Sequence, residues 1–416
     1  MTFRWLPPGL RPPVPMDGRQ EHIFLLVGAA ALFAGYDQNV FGLAIPQIQA
    51  SLHIPENQVG LTVAYFRIAA IAAMLLAASA DVMGRRRLLL LTILGQAAFT
   101  LLTAFTTDYA SFVWAQVATR VFGYAEEMLC FVVIGEEVAA GARGWASGTL
   151  SAFDYLGAGL ASLVFAAVNL LPYGWRAIYV IGALPLFLVA YLRRRLPETR
   201  RFAALSLAET RLAAGLRLAR DVWRDYPLRV GAILIAAAAF GFAIAPATVL
   251  GSKYLQSVYG YSPGQTTLLF IPGGLIGLGL AILAGRLSDA WGRKRVALGV
   301  VALAGAGFFL FYSGAPALLM PPLWVLAFFG FFSGDALIAG FALEIVPTRY
   351  RATVSGLRYL VEIGMGALSL ALEGVLYDIF RAHGPAVQWM LAALPLTLAA
   401  ILLLPEPAGK SLEELS

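Results

Sequence analysis

The segment Asp81-Val-Met-Gly-Arg-Arg-Arg87 returns as Asp289-Ala-Trp-Gly-Arg-Lys-Arg295, each copy in a short basic gap between two long apolar runs. A second pair follows in the same order: Glu136, seven residues before Arg143, and Glu344, seven residues before Arg351. Two patterns duplicated in one order imply two homologous halves. Hydrophobic residues make up 60% of the 416 residues and charged residues 13%, with a mean hydropathy of +0.76. A water-soluble chain of this length could not enclose so much apolar surface. Roughly twelve of the runs are long enough to cross a ~30 Å hydrocarbon core. They are continuous and lack apolar/polar alternation, so they read as helices rather than strands. The expectation is an all-α membrane protein with two pseudo-symmetric six-helix bundles, and a binding site near the membrane midplane.

The organisation follows from the gaps. Residues 1–21 read as a tail, 22–194 as the N-terminal bundle, 195–227 as a linker, 228–404 as the C-terminal bundle and 405–416 as a second tail. From Leu205 to Trp223 the linker has apolar residues at helical spacing, which suits an amphipathic helix on the membrane surface or a solvated linker with some helix. On one side of the runs the gaps hold only Arg176, Lys253 and Arg381. The opposite side holds Arg85–Arg87, Arg143, Arg193–Arg195, Arg293–Arg295, Arg349, Arg351 and the linker arginines. That bias places the basic side, and both termini, in the cytoplasm. The net charge of +6 is therefore topological and calls for no nucleic acid. Cys130 is the only cysteine and there are three histidines, so no disulfide, metal site or cofactor is expected. No phosphate-binding glycine loop or nucleophile–base set is present, and the chain is not read as an enzyme. A monomer in a bacterial inner membrane is the expected state.

An ionisable side chain at a helix centre costs about 2.5–3.5 kcal/mol on insertion scales and is a functional candidate by default. Asp37, Arg67, Arg120, Glu126, Glu127, Asp154, Asp335, Arg358, Glu362 and Glu373 fall inside the predicted spans. Glu127 follows Arg120 by seven residues, about 700° of turn and ~10 Å of rise, so both share one face. Glu126 points about 100° away and is either a functional group or a satisfied interhelical contact. Arg67 and Arg358 could bind an anion, although Arg358 could instead snorkel to the interface near Arg351. Tyr65 and Tyr359 could hold an organic cation by cation–π contact. In the duplicated loops, Gly84 and Gly292 permit tight turns. Asp81 and Asp289 can hold the neighbouring arginines, or a helix N-terminus, through bonds that break as the halves rock.

These loops resemble the cytoplasmic motif of the major facilitator superfamily. Gly285-Arg-Leu-Ser-Asp-Ala-Trp-Gly-Arg-Lys294 matches it throughout, and the first copy has Ala77 in place of the leading glycine. Glu344-Ile-Val-Pro-Thr-Arg-Tyr-Arg351, Leu196-Pro-Glu-Thr-Arg-Arg201 and Pro405-Glu-Pro-Ala-Gly-Lys-Ser-Leu-Glu-Glu414 are similar to elements of its sugar porter, organic ion transporter and aromatic-acid symporter branch. The resemblance implies several roles. Asp37, in Gly35-Tyr-Asp37, matches an aspartate that pairs with a membrane arginine, here Arg120, in proton-coupled relatives; the other reading is a permanent ion pair. An arginine and a glutamate at the spacing of Arg120 and Glu127 also occur in spinster-type lipid transporters, which makes Glu127 a second proton candidate. Glu362 looks like the helix-eleven acid of organic cation transporters. Glu136, Arg143, Glu344 and Arg351 would join Asp81, Arg85, Asp289 and Arg293 in a gate. The glutamine pair of sugar porters is missing from Ala236 to Thr248, which argues against a hexose.

The combined expectation is a secondary transporter using protons as co-substrate through Asp37, Arg120 and Glu127 and working by alternating access. Its small organic solute would be read by Glu126, Asp154, Asp335, Glu362, Arg67, Tyr65 and Tyr359. Because buried acids outnumber buried bases, a cation or zwitterion is favoured. A lipid or lysolipid carrier and an organic-anion/proton symporter are the alternatives, with a transport-silent sensor or scaffold as a third reading.

Overall fold

A computed structural model describes residues 11–138, 142–194 and 211–407. The expected tail residues 1–10, the Leu196–Arg201 element, the start of the linker helix at Leu205 and the end of the last tail lie outside the described residues. So do the side chains of Asp81 and Arg143. Among the described residues every regular element is helical.

The first six long helices are α1 (Gly18–Leu52), α2 (Val59–Ala78), α4 (Arg85–Thr103), α5 (Tyr109–Glu137), α6 (Arg143–Ala166) and α7 (Trp175–Arg193). A single turn, α3 (Ala80–Met83), leads into α4. The surface helix α8 (Arg211–Asp225) follows, then α9 (Pro227–Val249), the short α10 (Gly251–Tyr259), α11 (Pro263–Trp291), α12 (Arg293–Phe311), α13 (Met320–Glu344) and α14 (Arg351–Phe380). The last pass is made by α15 (His383–Leu391) and α16 (Leu394–Leu403) together. Ten of these passes meet the length and apolarity that crossing requires. The other two, α5 and α11, have 29 residues each, about 43 Å of helix, which also suffices. Six long passes thus lie on each side of α8, as the duplicated sequence predicts.

Local chemistry sets the ends. Asp17 accepts from the Gln20 backbone while the Gln20 side chain accepts from the Asp17 N–H, a capping box that starts α1. Ser262 and Gln265 do the same for α11. The α1 backbone leaves helical geometry at Ala44, two residues before Pro46, where the missing N–H allows a kink. Asp108 caps α5: the Ser111 backbone N–H and hydroxyl donate to its carboxylate and hold it below the usual carboxylate range. At the end of α8, the Tyr350 hydroxyl donates to Asp225 at 2.8 Å, with Arg349 at 3.4 Å, and this holds Asp225 low as well.

Contacts group the described chain into two units. Unit 1 runs to Ile54 and from Ile68 to Arg194, with a core in which Phe24, Val27, Leu88, Ile93, Ile134, Leu150 and Leu186 interlock. Unit 2 holds the residues from Arg211 onward. Its aromatic centre is Trp324, stacked on Phe270 with ring centroids 4.1 Å apart and flanked by Phe311 and Phe328. The partition differs from the expected 22–194 and 228–404 in one place. Pro55–Arg67, including the start of α2, groups with unit 2.

Candidate functional site

In unit 1, Asp37 is enclosed at the middle of α1. Thr100 Oγ1 of α4 donates to its Oδ1 at 2.9 Å, and Arg120 of α5 is the cation acting on it. Arg120 itself donates from Nη2 to the Gln38 carbonyl at 2.9 Å. Asp37 Oδ2 and the neighbouring Gln96 amide are buried without a formed hydrogen bond. A carboxylate so enclosed depends on the guanidinium for its charge, and a proton removes that dependence.

Two turns beyond Arg120 on α5, Glu127 receives a long contact from Gln38 Nε2 at 3.5 Å and faces the charge of Asp154 from α6. Gly35 makes this approach feasible, because a Cβ there would lie 2.2 Å from the Asp154 carbonyl oxygen and 2.6 Å from Oδ1. Among the described residues neither Glu127 nor Asp154 is in an ion pair.

Glu126 behaves differently. It is 1% exposed and pairs with Arg193, which is fully enclosed at the end of α7. Arg193 also donates to the Leu26 carbonyl at 3.1 Å, and the Thr92 hydroxyl and Cys130 thiol donate to Glu126. Four helices are joined here with the carboxylate fully engaged. The expected substrate role for Glu126 therefore gives way to an internal ion pair. Arg193, read from sequence as a loop charge, is a buried one.

In unit 2, Arg358 of α14 is the hub. Its Nη1 lies 2.9 Å from Asp335 Oδ1 of α13 and 2.6 Å from Glu362 Oε2, one turn along its own helix. Its side chain is only 10% exposed, so it does not snorkel to the interface as the sequence allowed. Arg67, near the end of the unit 2 part of α2, also acts on Glu362. Its Nη1 lies 2.6 Å from where a Cβ of residue 366 would sit, so a side chain there would push the guanidinium aside. Tyr359 adjoins the Arg358 charge, and both Tyr359 and Tyr65 remain partly exposed. Two arginines and two carboxylates thus converge.

The basic loops have matching geometry. Arg85 lies 3.1 Å from Glu136 and donates to the Ala80 carbonyl five residues back. Arg293 lies 2.9 Å from Glu344 and donates to Ser288, again five residues back. Both ion pairs span 51 residues. Asp289 holds Arg293 at 2.7 Å. The N-terminus of α12 is taken by Glu406, which accepts from the Arg293 and Lys294 backbones at 2.8 and 3.0 Å. Arg351 keeps Nε and Nη2 buried without a hydrogen bond among the described residues.

The sequence profile of the Major Facilitator Superfamily matches residues 27–370. This chain belongs to the Major Facilitator Superfamily. It is 27% identical to the gallate transporter of Pseudomonas putida over 86% of each chain. It is 24% identical to the citrate-proton symporter of Salmonella typhi over 82% of each. The crystal structure of a D-xylose-proton symporter has the same fold, with a TM-score of 0.76 at 19% identity over 94% of this chain and 99% of that one. The superfamily member is an integral membrane transporter, not an enzyme.

The expected organic cation finds no support. These relatives are named for organic acids. Part of the excess of buried acids that favoured a cation is also taken up by internal pairing: Glu126 with Arg193, and Asp335 and Glu362 with Arg358. An acid already bonded to a guanidinium leaves little attraction for a cationic solute.

Proposed function

We propose that this transporter is a proton-coupled symporter of a small organic acid whose carboxylate is read by Arg358 and Arg67. The observation that carries the reading is Arg358 held by both Asp335 and Glu362. Both carboxylates fall on Nη1, and two negative charges on one guanidinium leave it little net attraction for a third. Protonation of Glu362 or Asp335 removes one of those charges and frees an Nη1–H to join Nη2 in a fork for the carboxylate of the solute. Anion binding and proton binding then favour each other, which is the thermodynamic content of symport. The names of the gallate and citrate relatives support the same substrate class. So charged a cluster is poor lining for an acyl chain, which weighs against the lipid alternative.

Asp37 beside Arg120 serves as the proton site of unit 1, with Glu127 and Asp154 as a second carboxylate pair nearby. Tyr65 and Tyr359 supply ring faces for an aromatic acid. Arg85–Glu136 and Arg293–Glu344 act as ion pairs that open and close with alternating access, with Asp81, Gly84, Arg143, Gly292 and Arg351 shaping the loops that carry them. The chain works as a monomer in a bacterial inner membrane with its basic face and both termini in the cytoplasm.

Proteoliposomes with an imposed inward proton gradient test the proposal, using labelled gallate, citrate and choline as probes. Accumulation of an acid, collapsed by a protonophore and lost in Arg358→Gln, is expected. Accumulation of choline alone, or of gallate or citrate without dependence on the gradient, overturns it.

A further inference from the structure

Unit 2 has another charged cluster, at the helix ends opposite the Gly292 turn. Glu56 stands in the turn that opens α2, Lys253 in α10, Glu373 near the end of α14 and His383 at the start of α15. Glu56 Oε2 lies 2.6 Å from Lys253 Nζ and 3.0 Å from His383 Nε2. His383 Nδ1 lies 2.6 Å from Glu373 Oε1. Glu373 is fully enclosed, with Oε2 unpartnered, and Lys253 is 3% exposed. The Tyr377 ring tilts against the imidazole with centroids 4.5 Å apart, while the Tyr312 hydroxyl, near Glu373, donates to the Ala247 carbonyl. Asp378 pairs loosely with Arg381 at 4.0 Å and accepts from Asn57 Nδ2 at 2.9 Å, a second tie between the start of α2 and α14.

Donor counting shows what the arrangement needs. A neutral imidazole donates from one nitrogen only, and ionised carboxylates only accept. Both ring nitrogens of His383 lie within hydrogen-bond distance of a carboxylate oxygen. Satisfying both contacts takes one proton more than a neutral histidine and two carboxylates possess. With that proton, the positive charges of Lys253 and His383 balance Glu56 and Glu373. Without it, one contact sets two lone pairs against each other, and the set, enclosed apart from the partly exposed Glu56, carries a net negative charge.

We propose that Glu56, His383 and Glu373 hold one exchangeable proton, and that its release loosens the hold of α14 and α15 on the start of α2, leaving the Asn57–Asp378 hydrogen bond as a remaining polar tie. The clasp is separate from Asp37 and from the Arg358 cluster, and does not rest on the substrate assigned above.

Gln58, in the same turn as Glu56, is half-buried and offers a reporter. The full chain carrying Gln58→Cys, in lipid nanodiscs, is labelled with a maleimide between about pH 5 and 8, the range over which histidine clusters titrate. Rates are divided by those of a small free thiol at each pH. Cys130 is enclosed, so the chain without Gln58→Cys sets the blank. The normalised rate is expected to rise with pH by on the order of tenfold, the equivalent of one charge-assisted hydrogen bond. His383→Ala removes the clasp and labels fast at every pH. Glu373→Gln supplies an amide N–H in place of the exchangeable proton and labels slowly at every pH. A flat profile for the unsubstituted cluster overturns the proposal. So does an unchanged pH step in Glu373→Gln, a result that stands even if His383→Ala does not fold.

Discussion

Single residues in this protein matter through their partners more than through their own type. Glu126 and Glu127 are neighbours in sequence, yet one is locked to Arg193 and the other is free of any described ion pair. About 100° of helical rotation separates them and decides the outcome. Removing one member of a buried pair leaves the other charge stranded, at a cost of about 3–5 kcal/mol. Arg193→Met is therefore expected to lower the thermal midpoint in detergent sharply. Glu126→Gln combined with Arg193→Met is expected to recover much of the loss, since neither charge then remains. If the double variant is as unstable as the sum of the single variants, the ion pair is not the cause. The need for a partner at Glu126 was legible in the sequence, but Arg193 as that partner was not. It lies 67 residues away beside Arg194 and Arg195, where it read as part of a basic loop.

At the scale of elements, the duplicated loop was the most legible feature, because its chemistry is local. Gly292 sits at φ +100°, a conformation that costs a side-chain-bearing residue about 1–3 kcal/mol. A Cβ there would also lie 2.8 Å from Glu406 Oε2, the oxygen that caps α12 at Lys294. Gly292→Ala should then do more than strain one turn. Hydrogen exchange at the Arg293 and Lys294 amides should accelerate as Glu406 is displaced, with a fall in the melting temperature. Exchange that stays at the unsubstituted rate would show that Glu406 is not the cap. The sequence showed the glycine and the acidic tail element separately. Their contact joins residues more than a hundred positions apart, which neither periodicity nor spacing can reveal. The same limit hid Lys253 and His383, whose shared partner Glu56 precedes them by about two hundred and more than three hundred residues.

At the scale of the whole molecule, a symporter must link the proton and solute free energies across the entire cycle, and linkage is reciprocal. In the symport proposed above, the Arg358 cluster in unit 2 would make the proton a condition of anion binding. Asp37, near Arg120 in unit 1, would make it a condition of something else, because Asp37 is engaged by Thr100 and Arg120 by the Gln38 carbonyl. The two roles separate in experiment. Glu362→Gln mimics the protonated acid, so anion affinity should lose most of its pH dependence and stay near the value the native chain reaches in acid. Asp37→Asn should leave equilibrium binding and its pH dependence close to native. Accumulation driven by a proton gradient should disappear in that variant while exchange of internal for external anion continues. Binding by calorimetry at two pH values, with counterflow and gradient-driven uptake in proteoliposomes, supplies all three readouts. If Glu362→Gln retains the native pH dependence, the carboxylate that competes for Arg358 is not the one that carries the proton. If Asp37→Asn accumulates substrate normally, the proton site of unit 1 lies elsewhere, with Glu127 and Asp154 next to be substituted.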